Sequence, residues 1–121
     1  MVVRWLAEPR KLSREQFRAI REAERRGEAV ALSAISLIEI ATLRSERRVQ
    51  GSLDHIFTQI EMNPLFRVLP ITIPIALEAG ALSVLRDPAD RTIVATARVH
   101  RLRLLTSDQR IVDSKLVPTI D

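Results

Sequence analysis

The chain has 121 residues, enough for one domain with a sizeable core, and its 46% hydrophobic and 28% charged residues are those of a folded globular protein. Cysteine is absent, which excludes disulfides, thiolate catalysis and Cys-ligated zinc; the sparse aromatics, Trp5, Phe17, Phe57 and Phe66, exclude a stacking platform for single-stranded bases. The net charge is only +4, yet all but two of the 19 basic residues are arginine, the exceptions being Lys11 and Lys115, so any nucleic-acid binding leans on guanidinium–phosphate contacts.

Met1 to Ala7 reads either as a stub of strand or as a short helix leading into Glu8-Pro9. It lacks the basic stretch, apolar core and small-residue cleavage site of a signal peptide. Ser13 caps a helix through about Arg26, with Phe17 and Ile20 on one face and Arg14, Arg18, Arg21 and Arg25 on another; Gly27 stops it. Val30-Ala31-Leu32 is a short buried strand, and Ser33 caps a helix from Ala34 to about Arg47. Gly51-Ser52 opens a helix to about Met62, ended by Asn63-Pro64; Arg67 to Leu69 is strand-like.

Ile73 to Leu85 is helical, with Pro74 in its first turn. Asp87-Pro88 starts the next helix, which runs to about His100. Leu102 to Leu105 is a strand, Asp108 caps a short helical turn, and Val117 to Ile120 is an edge strand because it contains Pro118. Strands alternating with helices predict a three-layer α/β fold, a parallel sheet with helices on both faces, in one domain over 1–121. The longest apolar run, Val68 to Leu77, is broken by Pro70 and Pro74 and cannot span a bilayer, so a cytoplasmic protein is expected.

In a parallel sheet, helix N-termini and strand C-termini share one edge, where such folds bind ligands. Asp90, near a helix start, and Asp108, just past a strand, are therefore expected to meet there, with Glu39 near the start of another helix as a third acid. Glu39 sits in a helix that is apolar nearly all round, and Glu is rarely buried unless paired or coordinated. A solvated edge or a distant arginine would also account for it. Asp87 reads as a helix cap worth about 1 kcal/mol. Asp90 also suits the helix dipole, and Asp108 the cap of its own short helix. His100 fits a dipole-capping position and His55 the surface. Carboxylates without cysteine favour Mg²⁺ or Mn²⁺ over zinc, ions that activate water in phosphodiester cleavage.

Three segments, Ser33 to Ala41, Asp87 to Ala97 and Leu104 to Asp108, in this order resemble a PIN domain of the VapC-type toxin branch. The resemblance implies a Mg²⁺- or Mn²⁺-dependent endoribonuclease that hydrolyses RNA, forms a homodimer and pairs with a cognate antitoxin protein. It assigns the second, third and fourth acids of the family to Glu39, Asp90 and Asp108, with Thr106 or Ser107 as a polar companion. Arg44 and Arg91, with Arg47, Arg48 and Arg98, are candidates for phosphate contacts. Members of the family begin with a central strand ending in Asp, a principal metal ligand. Here Val2 to Pro9 resembles the helix after that strand. The strand and its Asp are thus expected to be missing, having preceded Met1 through a misassigned start or a truncation.

The competing readings are a scaffold that binds an antitoxin or another protein without catalysis, and a receiver-type phosphorylation domain. The receiver lacks its early Asp pair, and Lys115 is a poor match in context. A dinucleotide-binding fold lacks its glycine-rich turn.

Overall fold

A computed structural model describes residues 1–3, 12–45 and 53–121, side chains excepted for 43–45 and 53. In chain order the elements are β1 (Val2–Val3), α1 (Arg14–Arg26), β2 (Val30–Ser33), α2 (Ala34–Ser45), α3 (Leu53–Met62), β3 (Phe66–Leu69), α4 (Ile73–Ala81), α5 (Pro88–His100), β4 (Leu104–Leu105), α6 (Gln109–Ser114) and β5 (Thr119–Ile120). The strands form one sheet in the order β3-β2-β1-β4-β5, and every neighbouring pair is parallel.

Alternation along the strands sorts their side chains into two cores. Val2, Ala31 and Leu104 face α4 and α5, where they join Ile75, Ile93, Val94 and Ala97. Val3, Val30, Leu32 and Leu105 face the other way, onto Ala23 of α1, Ile40 of α2 and Ile60 of α3. Both layers of the predicted α/β architecture are therefore present.

The expectation of a missing central strand is corrected. Val2 and Val3 fill the centre of the sheet, with Val2 level with Ala31 on one side and Leu104 on the other, and Val3 level with Leu105. The Val2 N–H donates to the Arg103 carbonyl at 2.8 Å, and the Met1 carbonyl accepts from Ala31 N–H at 2.9 Å. Both valines are buried, each worth roughly 1.5–3 kcal/mol of apolar transfer. Two residues are too few to show a period of two, so the neighbouring strands rather than local sequence define this one.

Helix starts follow local chemistry. Ser13 and Gln16 form a reciprocal capping box on α1, each side chain accepting from the other's backbone N–H at 3.0 Å, and Gly27 closes the helix in the left-handed conformation. α4 ends at Ala81, short of the predicted Leu85, because the chain must reverse before α5. A turn in which Leu85 N–H donates to Leu82 O at 3.1 Å makes that reversal and buries both leucines.

Candidate functional site

The chain builds β1, β2 and β3 outward to one side, then returns to lay β4 and β5 on the other side of β1. Strand order thus reverses beside β1 and β4, and the crevice beyond the C-terminal ends of the strands is the place where such sheets receive ligands. The loop leaving β4 carries Thr106, Ser107 and Asp108, and the start of α5 carries Asp87 and Asp90.

Each acid there has a local anchor. Asp87 caps α5, its Oδ1 accepting from Ala89 N–H at 2.8 Å, so the cap reading of that residue holds. Asp90, one turn into the helix, is only 4% exposed. Asp108 caps α6, accepting from Arg110 N–H at 3.0 Å, while its own N–H donates to the fully buried Thr106 hydroxyl at 3.1 Å. Ser107 is turned toward α1, where Gln16 Nε2 donates to its hydroxyl at 3.0 Å.

The structure brings Asp90 and Asp108 together across one guanidinium. Arg110 donates from Nε to Asp108 Oδ1 at 3.3 Å and from Nη2 to Asp108 Oδ2 at 3.1 Å, and the same Nη2 lies 3.8 Å from Asp90 Oδ2. The hydrogen-bonded Asp108 carboxylate, then the charge of Asp90 and more weakly of Asp87, hold this guanidinium above its already high ordinary pKa. Three acids therefore act on one point of this edge, though Asp87 acts only through its field.

Glu39 stands apart from that pair. It lies one turn beyond Ser36 on α2 and is half-buried, while the next-door Ile38 is 63% exposed, so α2 is not buried all round as its sequence implied. Among the described residues no three His, Asp or Glu side chains are grouped so that they could hold one metal ion, and Glu39 does not join Asp90 and Asp108 in one ligand set.

Four small polar side chains on the elements that form this edge are buried: Ser33 at the end of β2, Ser36 on α2, Thr96 on α5 and Thr106 after β4. Ser33 Oγ accepts from Ile35 N–H at 3.4 Å, and Thr96 Oγ1 donates to Thr92 O at 2.7 Å. Ser36 Oγ has no hydrogen-bond partner among the described residues.

The arginine candidates separate. Arg91 commits its Nε to the Leu85 carbonyl. Arg98 sits at the far end of α5 in a 2.6 Å ion pair with Glu78, away from the acids, which removes it as a contact at this edge. The Arg44 side chain and Arg47 and Arg48 fall outside the described residues. Arg110, which the sequence reading passed over, is the cation seen between these acids among the described residues; its spacing two residues past the Asp108 cap was the available signal. His100 is exposed at the last position of α5, as expected, and His55 is exposed on α3.

A hard divalent cation fits the Asp90–Asp108 pair. The donors are carboxylate oxygens from two elements that already share a cationic partner, and Mg²⁺ commonly takes only one or two protein carboxylates, keeping water on its other positions.

With this geometry in place, likeness to known proteins is informative. A family model described as PIN domain matches residues 1–115. Ribonuclease VapC22 of Mycobacterium tuberculosis (strain ATCC 25618 / H37Rv) is 38% identical over 109 residues, spanning 88% of this chain and 81% of that protein. The crystal structure of FitAcB from Neisseria gonorrhoeae superposes with a TM-score of 0.65 at 25% identity, covering 100% of this chain and 97% of the other. FitAB bound to an IR36 DNA fragment gives a TM-score of 0.60 at 24% identity over 98% and 93% of the two chains, a likeness of fold.

Proposed function

This chain belongs to the PIN domain family, and on that premise we propose that it is a Mg²⁺- or Mn²⁺-dependent endoribonuclease of the toxin–antitoxin type, acting as one domain. The observation that carries the reading is the facing of Asp90 and Asp108 at the point where strand order reverses. The 38% identity to a ribonuclease supplies the substrate class, RNA. A divalent ion held at the pair would activate water and stabilise charge on the phosphodiester being cleaved.

The chain's own residues have separable tasks in this reading. Asp90 and Asp108 are the direct ligands. Thr106 fixes the backbone of Asp108 through its hydroxyl. Ser107, tied to Gln16, and Asp87, capping α5, hold the two loops that present the acids. Glu39 is assigned to the same centre by the family pattern, as the third acid. Arg44 is assigned to the RNA backbone on the same ground, and Arg91, with its Nε committed, supports the start of α5. The proposal includes a cytoplasmic setting and a cognate antitoxin. It also includes a homodimer, favoured by the large apolar side chains Ile71, Ile73, Leu77 and Val84 exposed on and around α4. No helix among the described residues is long and apolar enough to cross a membrane.

The test is cleavage of single-stranded RNA by the purified chain with Mg²⁺ or Mn²⁺ against a chelator control. Asp90→Asn and Glu39→Gln are expected to abolish metal-dependent cleavage with the fold retained. Undiminished cleavage by both variants would refute the assignment.

A second reading, a scaffold that binds an antitoxin without catalysis, is favoured by one specific observation: Val3 of the central strand is followed by Arg4, and no Asp occurs before Asp54. Calorimetry separates the two, since tight Mn²⁺ binding by the wild-type chain excludes the inert scaffold.

A further inference from the structure

Arg110 is attached to the site in an unusual way. Its backbone N–H completes the α6 cap on Asp108, while its side chain turns back over the same residue and reaches Asp90. That side chain is 77% exposed, whereas the Asp108 and Asp90 side chains are 18% and 5% exposed. The carboxylates are fixed by packing, and among the described residues the guanidinium is held by them alone, so the exchangeable partner of the trio is the cation.

A guanidinium and a divalent ion cannot both sit between these carboxylates. They compete for the same oxygens, and their charges repel at contact distance. The ion carries the larger charge, so it displaces the side chain, and the fixed helix α6 keeps the displaced guanidinium at the rim of the same crevice. A planar fork of donors at that rim matches a phosphate diester bidentately.

We propose that Arg110 is an exchangeable cation of this site: it offsets part of the charge of Asp90 and Asp108 when no metal is bound, and once displaced by a divalent ion it grips a phosphate of the RNA backbone. Metal loading and substrate binding are thereby coupled through one side chain. The inference rests on the nuclease reading above.

Calorimetric titration of Mn²⁺ into the full chain tests the first half. Arg110→Ala keeps the backbone donor of the α6 cap and removes only the competitor, so Mn²⁺ affinity is expected to rise about five- to tenfold over wild type. Arg110→Lys, which keeps a cation without the fork, is expected to fall between the two. Salt titration of a 2′-O-methyl oligoribonucleotide tests the second half. With Mn²⁺ present, Arg110→Ala is expected to lower the log–log salt slope by about 0.7, one phosphate contact on a single strand, and with chelator to leave it unchanged. Equal or weaker Mn²⁺ affinity in Arg110→Ala, with wild type binding Mn²⁺, would overturn this inference alone, as would an unchanged slope with Mn²⁺. Absence of Mn²⁺ binding in wild type and Arg110→Ala together would overturn the nuclease reading as well.

Discussion

Ser33, the last residue of β2, and Thr96, midway along α5, meet oxygen to oxygen at 3.4 Å in full burial, although 63 positions separate them. This contact fixes α5 against the sheet two turns from Asp90. Thr96→Val removes it together with the bond to the Thr92 carbonyl, and leaves Ser33 with one partner fewer. A loss of about 1 kcal/mol in urea-unfolding stability is expected, with weaker Mn²⁺ binding by calorimetry as α5 loosens.

Ser36 has the opposite character. Its hydroxyl is buried on α2 without a hydrogen-bond partner among the described residues, a cost to folding that alanine would not carry. Ser36→Ala is therefore expected to leave stability unchanged or raise it by up to about 1 kcal/mol. If the hydroxyl serves the site, RNA cleavage falls while the melting temperature holds or rises, the usual sign of a residue kept for function at the expense of stability.

Two caps on the same edge are expected to behave differently. Asp87→Ala removes the Ala89 N–H acceptor and is expected to cost about 1 kcal/mol with Mn²⁺ affinity close to wild type, whereas Asp87→Asn, an equally good cap, costs little. Asp108→Asn likewise keeps the α6 cap and the thermal midpoint, yet is expected to lose most of its Mn²⁺ affinity, because the charge shared with Arg110 is gone. Thermal melts run beside metal titrations check both statements. Equal metal affinity in the Asp87 and Asp108 variants would contradict them.

The central position of β1 makes its valines sensitive. Val2 is fully buried between two strands and against α5, so Val2→Ala is expected to cost about 2 kcal/mol through lost transfer energy and the cavity left behind. Val2→Asp would bury a charge in the sheet and is expected to prevent folding, read by circular dichroism and size exclusion.

Features governed by neighbours in sequence were legible without coordinates. Ser13, Gly27 and Asp87-Pro88 act within one turn of their own helix, and the structure places each where the local chemistry put it. Features governed by distant neighbours were not. Gln16, which no sequence pattern marked, is fully buried, and its side chain donates to the Ile120 carbonyl at 3.1 Å, across 104 positions. Val2–Val3 became a strand only because β2 and β4 flank it. At the site, the meeting of Asp90 and Asp108 followed from strand and helix polarity. Arg110 did not: its spacing from Asp108 was a local signal, but its reach to Asp90 depends on the fold. Glu39 was grouped with the other two from its place near a helix start after a strand and from the family pattern; Ile38, open to solvent beside it, shows only that its helix is less buried than its apolar sequence implied.

The short central strand also sets an order of assembly. Residue 2 bonds to residue 103, so β1 cannot take its place in the sheet before the β4 segment has been made. Until then the β2–β3 flank presents an open margin where β1 belongs, a stage at which the nascent chain depends on staying unpaired with itself or others. Asp90 precedes β4 and Asp108 follows it, so the acid pair also depends on β4 lying beside β1. A polypeptide not yet extended through Asp108 therefore has no completed acidic edge, and whatever chemistry that edge performs begins only after that residue is made.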